Sequence, residues 1–111
     1  MEKNEFTKGG QFSFDQSISY ADKAVVSKQV LKKESGNITL FAFDKGEGLS
    51  EHTAPFDAVV MIVEGKADII LDGKSHRLSA GETIIMPANI SHALKAIEKF
   101  KMVLIMIKSN D

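Results

Sequence analysis

An Asp72-Gly73 pair between two short strand-like runs is the feature that most constrains how this sequence folds. Residues 67–71 precede the pair and residues 74–78 follow it. An Asp-Gly pair in this setting favours a type I′ turn, because the twist of that turn matches the strands on either side. The sequence therefore predicts a β-hairpin over residues 67–78.

Other runs of apolar, β-branched and aromatic residues recur along the chain at the spacing of short strands. They cover residues 23–31, 38–43, 58–63, 82–86 and 100–107. Polar or glycine-containing segments separate them, including residues 32–37, which we interpret as a polar turn. No segment has a convincing helical period. This pattern is typical of an all-β barrel or sandwich.

A histidine lies on either side of the hairpin, each in a segment that begins with a glycine six positions before a histidine or a proline. The first segment reads Gly46-x5-His52-x-Ala54-x3-Ala58-x6-Gly65. The second reads Gly81-x5-Pro87-x-Asn89-x2-His92. Together they resemble the two-motif signature of the cupin superfamily, Gly-x5-His-x-His-x3,4-Glu-x6-Gly followed by Gly-x5-Pro-x-Gly-x2-His-x3-Asn. The resemblance covers about residues 23–107.

The resemblance implies a small β-barrel of the jelly-roll or double-stranded β-helix type. In cupins, three histidines and a glutamate of the two motifs hold a metal inside the barrel. Ala54 and Ala58 occupy two of those four ligand positions here. His52 and His92 are left as tentative ligands of a degenerate site, with iron, manganese, zinc or nickel as the possible metals. Asp57 lies one residue from the glutamate position, and that offset turns its side chain to the opposite face.

Side chains alternate along a strand, so positions of equal parity in the first motif share the face that points into the barrel of a cupin. With His92, they predict a pocket lined by His52, Ala54, Ala58, Val60, Ile62 and His92. We expect this pocket to bind a small organic molecule with a hydrogen-bonding or anionic group. Burial in an apolar lining should keep both imidazoles neutral at pH 7.

Two other functions stay open at this point. The first is a metal-dependent cupin enzyme of the isomerase, decarboxylase or dioxygenase type, in which substrate or water completes the coordination by His52 and His92. The second is a structural or oligomerising protein with a vestigial pocket. No residue is assigned a catalytic role, and no cofactor is implied with certainty by this ligand set.

Residues 1–22 are interpreted as an N-terminal arm, and residues 23–111 as a single barrel domain. Phenylalanines of the arm could close the bottom of the barrel or lie across a partner subunit, and a short helix over residues 15–20 fits almost as well. Residues 100–107 are apolar at nearly every position, as is the outward set Val59, Met61 and Val63. Exposing both runs would create a large apolar patch, so we expect a homodimer that forms through sheet faces.

Charge and composition exclude several partners. The chain has 14 basic and 15 acidic residues, so no overall field draws it to nucleic acid. The apolar runs are too short to span a bilayer, and the first residues do not resemble a secretory signal. Cysteine is absent, which excludes disulfides and favours a cytoplasmic location.

Overall fold

Nine strands and one 3₁₀ turn form the regular structure of residues 6–108, the part of the chain that this computed structural model describes. In chain order the strands are β1 (Val25–Lys33), β2 (Gly36–Phe43), β3 (Gly48–His52), β4 (Asp57–Glu64), β5 (Lys66–Leu71), β6 (Lys74–Ser79), β7 (Thr83–Met86), β8 (His92–Ala96) and β9 (Phe100–Ile107). Within residues 6–108, no helix has the length and apolar character needed to cross a membrane. The expectation of an all-β chain is confirmed.

The β5–β6 hairpin contains the turn that the sequence predicts. Asp72 has a φ of 49° and Gly73 a φ of 79°, and two consecutive positive values define the type I′ family. The two strands then pair in continuous register from Lys66 opposite Ser79 to Leu71 opposite Lys74. Local turn chemistry therefore sets the register of this pair.

The strands form two antiparallel sheets. The first has the order β1-β2-β9-β4-β7 and the second the order β3-β8-β5-β6. From β3 onward the chain passes repeatedly from one sheet to the other, which is the connectivity of a jelly roll. The expected double-stranded β-helix is therefore confirmed.

A single apolar core lies between the two sheets. At its centre the rings of Phe43 and Phe100 are stacked with centroids 4.4 Å apart, and neither ring is exposed to solvent. Aliphatic side chains from both sheets surround this pair, including Val60, Ile62 and Ile69. The core forms where the inward positions of facing strands are apolar, since their side chains then pack against each other between the sheets.

The turn between β1 and β2 is shorter than the sequence suggests. Only Glu34 and Ser35 lie outside the strands, whereas the polar turn was expected over residues 32–37. Lys32 and Lys33 instead extend β1. This strand is at the edge of its sheet, where lysine side chains reach solvent and are tolerated within the strand.

The arm, of which residues 6–22 are described, lies on the outer face of the five-stranded sheet of its own chain. Phe6 and Ile18 are buried there against Leu40, Ala42 and Val103. The expected short helix is reduced to a 3₁₀ turn at Asp15–Ser17. The arm thus covers part of the apolar outer face of β9, one of the two runs for which the sequence predicts contact with a second subunit. Residues 1–5 of the predicted arm fall outside the described part.

Candidate functional site

His52 and His92 face each other across neighbouring strands. The register of β3 and β8 pairs these two residues directly, although they are 40 positions apart in the chain. Their Nε2 atoms are 3.1 Å apart, and the ring planes meet at 66°. His92 is buried, with 7% of its surface exposed, whereas His52 is exposed. One ring of the pair therefore lies at the surface and the other in the interior.

Main-chain carbonyls determine which nitrogen of each ring carries hydrogen. The Nδ1 atom of His52 lies 2.8 Å from the oxygen of Ser50, and that of His92 lies 3.2 Å from the oxygen of Ile90. A carbonyl oxygen only accepts, so each Nδ1 donates. The two Nε2 atoms are within hydrogen-bond distance of each other, at 3.1 Å, but a hydrogen bond between them needs a hydrogen on one of the two. With both Nδ1 atoms donating, neutral rings lack that hydrogen, so the two Nε2 acceptors face each other unpaired.

Burial lowers the pKa of His92 below its ordinary value of 6.5. The hydrogen bond to the carbonyl of Ile90 raises this pKa, while the nearby ring of His52 lowers it further. Burial is the largest of the three effects. A pKa below 6.5 favours the neutral form of His92 at pH 7.

Both rings line an apolar cavity of about 60 Å³. Since one water needs roughly 10–15 Å³ of such space, the cavity has room for a few waters or for one end of a small organic molecule. The rest of the wall consists of Leu49, Ala54, Phe56, Ala58, Met86, Leu94, Met102, Leu104 and Met106. Polar character in this wall is concentrated in the two imidazoles.

Four of the expected pocket residues lie at this cavity, namely His52, Ala54, Ala58 and His92. Val60 and Ile62 lie instead in the closed core, with 0% and 1% of their surface exposed. The size of the side chains along β4 accounts for the difference. Ala58 leaves space open at the start of the strand, whereas the branched residues that follow on the same face fill it.

Sequence reasoning missed the contribution of β9 to the cavity wall. Met102, Leu104 and Met106 all line it, and none of the three was among the expected pocket residues. Alternation along residues 100–107 places these three on one face. Both faces of that strand are apolar, however, so the pattern does not indicate which face points inward.

The described residues do not fit the ligand set of three histidines and a glutamate. Ala54 and Ala58 offer no donor atom, and the exposed carboxylate of Asp57 accepts a hydrogen bond from the main-chain nitrogen of Ala88 at 2.8 Å. In residues 6–108, no three His, Cys, Asp or Glu side chains are grouped so that they could hold a metal. The 3.1 Å between the Nε2 atoms suits two ligands of one ion, but the donors number only two.

The third histidine and the asparagine of the second motif lie outside the cavity wall. His76 is half-buried on β6, with its Nδ1 atom 3.0 Å from the carbonyl oxygen of Lys74. It is not part of the cavity wall. Asn89, at the position of a motif glycine, has a φ of 64° and so adopts the left-handed conformation that asparagine tolerates.

Comparison with known proteins agrees with this fold. A solved structure of a conserved protein of unknown function from Streptococcus pyogenes matches with a TM-score of 0.89 at 33% identity, covering 96% of this chain and 93% of that chain. A cupin 2 conserved barrel domain protein from Leptotrichia buccalis matches with a TM-score of 0.85 at 38% identity. That match covers 87% of this chain and 47% of the other.

A curated relative is the polyketide synthase CurC of Streptomyces cyaneus, which is 32% identical over 72 residues. Those residues are 62% of this chain and 47% of the relative, so the chain spans about half the length of that protein. The family model described as the cupin domain matches residues 39–108, which include both histidines and the strands that carry the cavity. Because this match spans more than half of the chain, the protein belongs to the cupin family.

Proposed function

We propose that this cupin binds a small, mainly apolar organic molecule that donates a hydrogen bond, such as an alcohol, a phenol or an enol. The observation that most supports this is the convergence of the Nε2 atoms of His52 and His92, 3.1 Å apart, at an apolar cavity. A hydroxyl oxygen about 2.8 Å from both atoms could donate its one hydrogen to the pair as a three-centre hydrogen bond, with each branch bent away from linear. The degenerate metal site is, in this proposal, a binding site without a resident metal.

The protonation of the rings favours a donor over an anion as the ligand. An anion would need a hydrogen on at least one Nε2 atom, and both Nδ1 hydrogens already face carbonyls. Adding that hydrogen to His92 creates a buried cation, which the lowered pKa of His92 disfavours. A neutral pair that accepts one hydrogen avoids this cost.

The size of the cavity limits the part of the ligand that enters. A volume of about 60 Å³ suits a few heavy atoms packed against the thioethers and methyl groups of the wall. Since His52 is exposed, a larger ligand can extend past this ring into solvent. We therefore infer recognition of one end of the molecule.

A thermal-shift series of matched compounds tests the proposal. Phenol, anisole and benzoate have similar rings, but only phenol donates a neutral O–H. A ligand at ten times its Kd adds about 1.4 kcal/mol to the free energy of unfolding, which raises the Tm by several degrees for a domain of this size. We expect phenol to raise the Tm and anisole to have little effect.

Two variants complete the experiment. His92→Leu removes the buried acceptor and should abolish the shift, while His76→Leu removes a histidine outside the cavity and should leave it unchanged. Stabilisation by anisole equal to that by phenol would overturn the hydrogen-bond role of the pair. A preference for benzoate would mean that the pair acts as a cation.

A proton-transfer enzyme is the second candidate. The Nε2 separation of 3.1 Å is short enough for one ring to pass a proton to the other, which suits removal of a proton from carbon beside a carbonyl. The relative named as a polyketide synthase supports a dicarbonyl as the probe. Acetylacetone exchanges on its own, so the measurement is the protein-dependent rate of deuterium uptake at its central carbon. No acceleration above that of the His52→Ala, His92→Ala variant would exclude this activity.

We also propose that the chain works as a homodimer formed through the outer face of the five-stranded sheet. Apolar side chains on that face support this.

A cytoplasmic location stays a prediction from the sequence. If no compound stabilises the protein and dimerisation is its only measurable property, the remaining interpretation is a structural protein with a vestigial pocket.

A further inference from the structure

A lysine lies at the end of the cavity wall that β9 forms. Three alternate residues of this strand line the cavity, namely Met102, Leu104 and Met106. Lys108 follows two positions after the last of them. Its main-chain nitrogen donates to the oxygen of Ser35 at 2.6 Å, which continues the pairing of β9 with β2 by one residue. Alternation along this extended chain places the Lys108 side chain on the cavity face.

A contact with an aromatic ring locates the Lys108 ammonium at the cavity. Its Nζ atom lies 5.7 Å from the centre of the Phe56 ring, within the range of cation–π attraction. Phe56 is half-buried, belongs to the cavity wall and lies in the segment that joins β3 to β4. Lys108 and His52 are therefore at the same end of the barrel. Because His52 is exposed, this is the end at which a bound molecule reaches solvent.

Polar side chains of β2 adjoin the cavity wall beside Lys108. Strand register pairs Thr39 with Leu104, and likewise Asn37 with Met106. Directly paired residues share one face of a sheet, so both polar side chains lie on the cavity face. Both are half-buried, and Oγ1 of Thr39 lies 3.5 Å from Oδ1 of Asn37. A ligand that extends beyond the apolar wall of β9 therefore meets hydrogen-bonding groups as well as a cation.

Lys108 carries a positive charge on the inner face at this end of the cavity. Among residues 6–108, no carboxylate forms an ion pair with it. Asp57 begins β4 at the same end, but it pairs in register with Ile107 and so lies on the outer face. Its carboxylate accepts a hydrogen bond from the main-chain nitrogen of Ala88. An anionic group at the mouth of the cavity would therefore be attracted to Lys108.

We propose that the ligand is bifunctional, with a neutral hydroxyl donor at one end and a carboxylate at the other, and that Lys108 binds the carboxylate. The hydroxyl enters the apolar cavity and donates to the histidine pair. The carboxylate stays at the mouth, where solvent and the ammonium stabilise it. A hydroxyaryl acid such as 3-(4-hydroxyphenyl)propanoate has this chemistry. The inference rests on the proposed function, to which it adds the second end of the ligand.

Calorimetry with matched compounds tests the assignment. The set comprises 3-(4-hydroxyphenyl)propanoate, its primary amide, 3-(4-methoxyphenyl)propanoate and phenol. At low salt, we expect the wild type to bind the hydroxy acid about three- to fivefold more tightly than the amide, which is the range of a half-exposed ion pair. The methoxy acid should bind about tenfold more weakly than the hydroxy acid, because its ether has no hydrogen to donate.

Two lysine variants identify the residue that reads the carboxylate. Lys108→Gln removes the charge and keeps much of the side chain, so the affinity ratio of hydroxy acid to amide should fall to about one. Lys95→Gln removes the same charge from an exposed position whose neighbours Leu94 and Ala96 are buried, on the outer face of the other sheet. It should leave the ratio unchanged. Phenol should bind the wild type and both variants equally.

The phenol measurement separates this inference from the proposed function. Equal affinity of the wild type for acid and amide, with phenol still bound, would overturn the role of Lys108 alone. A preference for the acid that persists in Lys108→Gln would also overturn that role. A methoxy acid that binds as tightly as the hydroxy acid, or a failure of every compound to bind, would overturn the proposed function and the inference with it.

Discussion

The side-chain nitrogen of Lys101 on β9 lies 3.3 Å from Oδ1 of Asp15 in the arm, and it also donates a hydrogen bond to the main-chain oxygen of Asp15. Lys101 is 8% exposed, whereas half of the Asp15 side chain is in solvent. Tyr20 adds a further link, because its hydroxyl donates to Glu64 of β4. Polar contacts at Asp15 and Tyr20 thus reinforce the apolar packing of the arm.

Lys101→Met should destabilise the protein more than Asp15→Ala. Methionine fills similar space but leaves the carbonyl of Asp15 without its donor, at a cost of about 1–3 kcal/mol. Asp15→Ala removes only a half-exposed ion pair, worth less than about 1 kcal/mol, because the main-chain contact remains. Urea unfolding measures both values, and limited proteolysis reports whether the arm is released. Equal losses of unfolding free energy in the two variants would contradict the greater importance of the main-chain contact.

Stability should fall as the solution becomes more acidic than about pH 6.5, through His92. The pKa of His92 is lowered in the folded state. At a pH between the folded-state and the unfolded-state pKa, the unfolded chain therefore binds more protons than the folded protein. The free energy of unfolding therefore decreases as pH falls through the unfolded pKa of about 6.5. Urea titrations from pH 7.5 to 5.5 should show a smaller decrease for His92→Gln, with His76→Gln as the control. An unchanged pH profile in His92→Gln would refute the assignment.

Gly65→Ala should be much more damaging than Gly46→Ala, although both glycines have φ near +85°. An added Cβ at Gly65 would lie 2.0 Å from the carbonyl oxygen of Lys99, whereas nothing lies within 4 Å at Gly46. Gly46→Ala therefore costs only the left-handed backbone, about 1–2 kcal/mol. We expect a difference of at least about 2 kcal/mol between the variants in urea unfolding. Similar losses of unfolding free energy in the two variants would mean that the backbone near Lys99 can shift to accommodate the added Cβ.

Metal content should depend on positions 54 and 58. We expect wild-type protein purified without chelators to contain no stoichiometric iron, manganese, zinc or nickel. Ala54→His with Ala58→Glu adds two donors to a cavity that both positions already line, and should raise zinc affinity roughly 100-fold or more. Elemental analysis measures the metal content of the wild type, and calorimetry measures the zinc affinity of both proteins.

The control for this redesign is removal of both natural histidines from it. His52→Ala with His92→Ala should return zinc affinity to that of the wild type. Stoichiometric metal in the wild type that disappears in the His52→Ala, His92→Ala variant would overturn the metal-free pocket.

Some elements could be predicted from local sequence to the residue. The limits of β9 agree at both ends, because Phe100 and Ile107 bound an uninterrupted apolar run. The turn at Asp72 and Gly73 agrees because these residues prefer its backbone angles whatever surrounds them. The end of β1 was misplaced because Lys32 and Lys33 are polar, and local composition does not distinguish an edge strand from a turn.

Residue type and spacing in the sequence by themselves determined seven of the nine strands, and the resemblance to cupins identified the two histidines and the alanines at two ligand positions. The short strands β3 and β8, which carry the histidines, were not predicted. Only the tertiary structure decided that Met102 and Leu104 face the cavity, that the two Nε2 atoms are 3.1 Å apart, and that the arm covers its own sheet. These features depend on contacts between residues far apart in the chain. Alternation assigns side chains to two faces of a strand, but neighbouring strands determine which face is buried.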